Sequence, residues 1–229
     1  MESSVKMFKN ARWAAAMIIA SLFAVTACSN KEEQVSDSRG VYMLMDTSGT
    51  YTQELEQARR VINFTLSELK PGDSFAVARV DTGSFSEKDI ITKATFDSRP
   101  SVSNEQKRKF QANITSFLKG VKSSRHTDIT GGILQAIEYL NETGAGHKTI
   151  LVFSDMKEDL GEGYVRDEIP LTLSGYRVVA LNVTKLRTDN VDPRNYLDRL
   201  DGWKQRVESG GGQWKVLNDL ERLESLLTI

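Results

Sequence analysis

The chain of 229 residues is poor in the side chains on which much metal, redox and phosphate chemistry depends. It has one cysteine, Cys28, so neither a disulfide nor a cysteine-based zinc site can form within one chain. Its two histidines, His126 and His147, leave little scope for imidazole-rich metal chemistry. Positive charge is not in surplus: 30 Lys and Arg stand against 31 Asp and Glu, a formal net charge of −1. That removes the electrostatic basis of a general nucleic-acid binder, and no nucleic-acid partner is expected. No glycine-rich loop opens a helix as a phosphate cradle would; Gly210-Gly211-Gly212 follows a helical pattern instead. No Ser-His-Asp set has supporting context, and no internal repeat or low-complexity stretch is found. What remains is ordinary for a soluble globular protein, with 39% hydrophobic and 27% charged residues. The length suits one domain with short additions.

The apolar run from Trp13 to Ala27 is shorter than the roughly 20 residues that span a bilayer. It follows a basic stretch with Lys6, Lys9 and Arg12 against Glu2, the order of a cleavable export signal. The run ends in Val25-Thr26-Ala27-Cys28. Small residues before a single cysteine resemble the lipobox of bacterial lipoproteins. The resemblance implies a signal peptide over 1–27, cleavage before Cys28, and lipidation (palmitate among the acyl chains) of the new N-terminus. The expected location is the bacterial cell envelope, lipid-anchored outside the cytoplasmic membrane. Ser29, where an inner-membrane retention signal would place Asp, implies the outer membrane in a Gram-negative host. Residues 28–40 then form the lipidated Cys and a polar, flexible tether.

From residue 41 the pattern alternates. Val41 to Met45 is a continuous apolar run ending at Asp46, as a buried strand reads. Leu55, Ala58, Ile62, Leu66 and Leu69 recur at helical spacing, and Pro71-Gly72-Asp73 ends that helix. Further strands are expected over 74–80, 148–154, 177–183 and 213–217, with an edge strand near Ile90-Ile91. A helix after Pro100 is expected to open on a Ser103/Gln106 capping box and to bury Phe110, Ile114, Phe117 and Val121. Others are expected from about Gly132 to Asn141, from Asp192-Pro193 to the glycine triplet, and from an Asn218/Glu221 capping pair onward. Alternating strands and helices predict an α/β fold: a Rossmann-like, doubly wound, mostly parallel sheet with helices on both faces. Such sheets bind ligands at the carboxyl ends of their strands. Asp46 and Asp155 both fall there.

Asp46-Thr47-Ser48-Gly49-Thr50 sets a carboxylate and two hydroxyls at alternate positions. His126-Thr127-Asp128-Ile129-Thr130-Gly131-Gly132 is a second polar loop, and Phe153-Ser154-Asp155 a third. Hydroxyl and carboxylate oxygens are hard ligands suited to Mg²⁺, or to Mn²⁺ or Ca²⁺. Together the three pieces resemble the von Willebrand factor A (vWA) domain and its metal-ion-dependent adhesion site, over about residues 41–229. That family carries Asp-x-Ser-x-Ser after the first strand, a Thr in a second loop, and an Asp after the fourth strand. The resemblance implies a metal site of Asp46, Ser48, Thr50, Thr127 and Asp155. Ser48, Thr50 and Thr127 would touch the ion, and Asp46 and Asp155 would act partly through water. Asp128 would be an acceptor behind the ligands. Thr50 replaces a Ser, and Met156 stands where the family often has Gly. The function implied is protein binding, without catalysis, in which a partner's Asp or Glu completes the ion's coordination.

Two other readings use the same residues. Asp-Thr-Ser-Gly-Thr also resembles the nucleophile loop of haloacid-dehalogenase-like phosphatases, with Asp46 attacking phosphorus and Asp155 to Asp159 as an acidic metal motif. Against it, Ser48 occupies the place of the general acid, and the helix starts too soon for the flap that follows such a nucleophile. The third reading is a scaffold domain whose metal site has decayed. Elsewhere, His126 reads as a hydrogen-bonding loop residue, Trp203 and Trp214 as core, and Lys107-Arg108-Lys109 as a solvated face. The loops 81–100 and 156–166 are expected to contact a partner.

Overall fold

The computed structural model describes residues 36–49, 54–166 and 169–220. Cys28, Thr50, Glu221 and the signal and tether readings up to residue 35 lie outside them. The order of elements is β1 (Arg39–Asp46), α1 (Leu55–Glu68), β2 (Ser74–Val80), β3 (Ile90–Thr95), α2 (Pro100–Gly120), α3 (Ile129–Glu142), β4 (His147–Phe153), β5 (Tyr176–Leu181), α4 (Arg187–Val191), α5 (Arg194–Ser209) and β6 (Gln213–Leu217). The six strands form one sheet in the order β3-β2-β1-β4-β5-β6. Only β3 runs antiparallel, beside β2 at the edge; the other four pairings are parallel. This is the doubly wound order, and its topological switch point lies between β1 and β4.

Both faces of the central strands are covered, which is why β1 and β4 read as unbroken apolar runs. Alternation along each strand still divides the core in two. Tyr42, Leu44, Ala78, Ile150, Val152 and Val178 pack with Ile133 and Leu140 of α3 and Trp203 and Val207 of α5. Met43, Met45, Val77, Leu151 and Phe153 face the other way, onto Ile62 and Leu66 of α1 and Phe110 and Ile114 of α2. Phe75 and Phe110 stack with ring centroids 4.9 Å apart, a contact that adds about 1 kcal/mol to the burial of both rings. Among the described residues, no helix is long and apolar enough to cross a membrane.

Several local expectations are corrected. Helix α2 opens at Pro100 with no side-chain cap on Arg99, because proline's fixed φ suits the first helical turn. Ser103 is therefore inside the helix and buried. Gln106 Oε1 instead accepts from the backbone N–H of Asp97 at 2.8 Å. Lys107 is not merely solvated: its Nζ donates to the Leu69 carbonyl at 2.5 Å, past the end of α1. Helix α3 starts at Ile129, three residues early, because Asp128 caps it by accepting from Gly131 N–H. The single-turn α4 carries no apolar periodicity and was not legible. The Asn218/Glu221 capping pair is not tested, since Glu221 lies outside the described residues; Asn218 Oδ1 accepts from Val183 N–H at 2.8 Å.

Candidate functional site

Strand β1 ends by burying its last carboxylate at the switch point. Asp46 is 1% exposed. Its Oδ1 accepts from Ser48 N–H at 2.8 Å, and its Oδ2 accepts from Ser154 Oγ at 2.7 Å. The second bond joins the end of β1 to the end of β4. Thr47, also buried, donates from Oγ1 to the Val80 carbonyl at the end of β2. The Thr47 carbonyl accepts from Ser124 N–H at 2.9 Å, which draws the loop before α3 over the turn after β1. That loop is fixed in turn to the one after β4. Thr127 and Asp159 exchange backbone hydrogen bonds of 2.7 and 3.0 Å. Three loops far apart in sequence are thus sewn together by their own backbones.

Between them lies a cleft of about 330 Å³ lined by Ser48, Ser124, Thr127 and Asp155. Arg125, Lys157 and Asp159 complete its charged border. Of the residues expected around an ion, then, Ser48, Thr127 and Asp155 face one cavity, and Asp46 is bonded directly behind Ser48. Asp155 is 4% exposed, and its Oδ1 accepts from Lys157 N–H at 2.8 Å. Burial pushes its pKa up and the Asp46 charge adds to this, against the Lys157 N–H bond and the charges of Arg199 and Lys157. Two carboxylates at one strand edge, one held above its ordinary titration range, make a place where a cation is electrostatically favoured.

The donor chemistry fits a hard cation. Among the described residues, no three His, Cys, Asp or Glu side chains gather as a metal cage. A site here would instead draw on hydroxyl oxygens beside few carboxylates, which leaves a bound dication under-neutralised. Asp128 takes a different part. Its carboxylate accepts from Gly131 N–H at 2.7 Å, from Ser84 N–H at 3.0 Å and from Arg166 Nη2 at 2.8 Å. Those bonds shape the loop that carries Thr127. A Cβ on Gly131 would sit 2.4 Å from Asp128 Oδ2, and one on Gly132 would sit 2.7 Å from Leu44 Cδ2. The glycine pair is there for these close approaches.

Helix α5 holds the cleft from behind through Arg199, which the sequence did not mark, and Trp203, which it marked only as core. Arg199 Nε donates to the Asp155 carbonyl and Trp203 Nε1 to the Met156 carbonyl, both at 2.9 Å. Met156 is fully buried and has a left-handed backbone, φ 63°. That conformation accounts for the glycine common at this place in the resembling family. The loop after it is tied inward in part: Glu158 accepts from Thr130 N–H and Oγ1, and Arg206 reaches Thr130 Oγ1 and the Arg166 carbonyl. Ser154, named in the third loop but not as a site residue, is bonded to Asp46, and its signal was a hydroxyl at a strand end beside Asp155.

No family model matches the chain, and no curated protein does. Solved structures do match. The pilus adhesin SpaC from Lactobacillus rhamnosus GG, open conformation, is 11% identical with a TM-score of 0.52, over 84% of this chain and 29% of that one. An aerotolerance-related membrane protein from Bacteroides fragilis is 13% identical with a TM-score of 0.48, over 82% and 96% of the two chains. A von Willebrand factor type A structure from Catenulispora acidiphila is 12% identical with a TM-score of 0.48, over 83% and 41%. The chain therefore spans less than half of two of these three proteins. The likeness to the SpaC structure is one of fold alone; the sheet itself is the doubly wound, mostly parallel α/β arrangement that the alternation of strands and helices predicts.

Proposed function

We propose that the cleft at the switch point holds a divalent cation, Mg²⁺ or alternatively Mn²⁺ or Ca²⁺, and that the domain binds a protein partner through it. Ser48, Thr127 and Asp155, with Thr50 beside them in the same motif, would hold the ion, and Asp46 would support it from behind Ser48. The ion would supply a positive centre with an open position for an Asp or Glu of the partner. The observation that carries this reading is the meeting of Ser48, Thr127 and Asp155 in one cleft, with Asp155 raised by burial and by Asp46. The chain's own part is positional. Backbone bonds between the loops hold the hydroxyls in place, and Ser154 and the Ser48 N–H orient the Asp46 carboxylate. A phosphatase reading has less support, because the would-be nucleophile Asp46 is 1% exposed with both oxygens engaged.

The same reading places the protein in a bacterial envelope on a lipidated Cys28. The described chain joins the fold at the amino end of β1, about 25 Å along the sheet from the cleft.

The test is capture of partner proteins from the native envelope by the full-length protein, with and without chelator, beside an Asp46→Ala variant. Capture should need the free ion and be lost in the variant. Equal capture in all three conditions rejects the metal-bridged reading and favours the decayed-site scaffold.

A further inference from the structure

We infer that the partner offers an acidic segment rather than a lone carboxylate, and that cations on the border of the cleft read its further charges. The inference rests on the metal-bridged reading above and specifies its partner. Three segments meet around the cleft, and each carries exposed positive charge: Lys122 and Arg125 before Thr127, Lys157 two residues after Asp155, and Lys185 and Arg187 on either side of Leu186.

These cations differ from the other basic residues nearby. Arg79, Arg166, Arg199 and Arg206 are each ion-paired to an acid of the fold. Among the described residues, Arg125, Lys157 and Arg187 form no such pair, although Arg125 and Lys157 line the cleft itself. The acids of the same segments are mostly committed. Asp155 faces the cleft, Glu158 is bonded to Thr130, and Asp189 is held by Arg199. Asp159, with a His126 nitrogen 3.6 Å away, and Glu162 further along the loop are exposed. The border thus sets two cations outside any ion pair, Arg125 and Lys157, against one exposed acid, Asp159, around a centre that itself calls for a carboxylate. A partner with several neighbouring carboxylates satisfies both features, and opposite charge at the rim chiefly adds specificity and speed of encounter. A chain with no positive surplus does not offer the extended basic surface that a nucleic acid needs.

The test uses the full-length protein in detergent with Mg²⁺ and two labelled synthetic peptides of equal length, one rich in Glu and one with a single Glu among Gly and Ser. Fluorescence anisotropy gives the ratio of their affinities. Exposed pairs of this kind are each worth about threefold, so the Glu-rich peptide should bind about tenfold tighter at low salt. The ratio should shrink as salt is raised, and it should fall to about one when Arg125→Glu and Lys157→Glu are combined, with circular dichroism checking the fold. Equal affinities, a preference that survives the double charge reversal, or binding of neither peptide overturns the inference. So does tighter binding of a single-stranded oligonucleotide than of the Glu-rich peptide. Chelator and Asp46→Ala are read separately. If neither alters affinity while the charge-dependent ratio persists, the metal bridge falls and the acidic partner stands.

Discussion

Of the buried aspartates near the carboxyl edge of the sheet, four form two pairs that the chain treats differently. Asp128 and Asp189, each 1% exposed, meet Arg166 and Arg199 at 2.8 Å. Asp46 and Asp155, at 1% and 4%, have no Arg or Lys within ion-pairing distance among the described residues. They accept from backbone N–H groups and, at Asp46, from Ser154. Arg199 sharpens the contrast. It donates to the backbone carbonyl of Asp155 with Nε, while its other nitrogens go to the Asp189 carboxylate. A buried carboxylate without a cation is costly, and an arginine is the ordinary remedy. The first pair uses that remedy to brace loops. The second pair sits at the switch point without it, with Arg199 and Lys157 acting on Asp155 only from beyond ion-pairing distance, and a counter-charge in direct contact is what the proposed ion would supply.

The largest test of this division sets one member of each pair against the other. Arg166→Ala leaves Asp128 buried and unpaired, and should lower stability by about 3 kcal/mol in urea unfolding. Asp155→Asn keeps the oxygen that accepts from Lys157 N–H but removes the charge. In chelator it should unfold at the same or higher urea concentration than the wild type. Mg²⁺ at about a hundred times its dissociation constant should stabilise the wild type by about 2.7 kcal/mol and leave Asp155→Asn nearly unmoved. If Asp155→Asn is as damaging as Arg166→Ala without metal, the two pairs are alike and the comparison fails.

The sequence makes one side of this contrast visible and hides the other. Asp46, Ser48, Thr127 and Asp155 are legible because each follows a strand or precedes a helix whose apolar pattern is strong, so the sheet's topology brings them together. Strand β1 and the faces of α1 and α5 are legible for the same reason. The arginine braces are not. Arg166 lies in a loop without periodicity, and Arg199 and Arg206 flank the apolar stripe of α5, a boundary where charged residues are ordinary in sequence. Their partners lie 38 and 10 residues away for Arg166 and Arg199. Pairing at such separations is a product of packing, and no local rule encodes it. The left-handed Met156 is hidden too, since methionine rarely marks such a turn.

A smaller effect separates the pairs by pH. The Arg199 guanidinium holds the Asp189 carboxyl below its ordinary range, so its stabilisation is full above that range and disappears as pH falls through the depressed value. Asp155 is raised, mainly by burial. Its charge therefore destabilises the metal-free fold at neutral pH, and that penalty fades as pH falls from the raised value to the ordinary aspartate value of about 3.9. Urea midpoints measured in chelator against pH should show the two variants converging on the wild type in different windows. The gain from Asp155→Asn should vanish first on acidification. The loss from Asp189→Asn should persist to lower pH. Convergence in one shared window would remove the electrostatic distinction between the pairs.

The smallest effect concerns what keeps Asp155 in place without a counter-charge of its own. Arg199 and Trp203, one helical turn apart on α5, grip the consecutive carbonyls of Asp155 and Met156. A left-handed residue other than glycine needs such support, because its Cβ crowds the backbone at a cost of about 1 kcal/mol. Trp203→Phe keeps most of the buried ring and removes the N–H, which leaves the Met156 carbonyl short of a donor. The expected loss is about 1 kcal/mol in global stability. The more telling readout is amide hydrogen exchange at Lys157, whose N–H is bonded to Asp155 Oδ1. Exchange there should quicken more than at the middle of β4, since the turn opens locally before the sheet does. Equal changes at both places would mean that Trp203 supports only the core, and that the turn after Asp155 keeps its shape without α5.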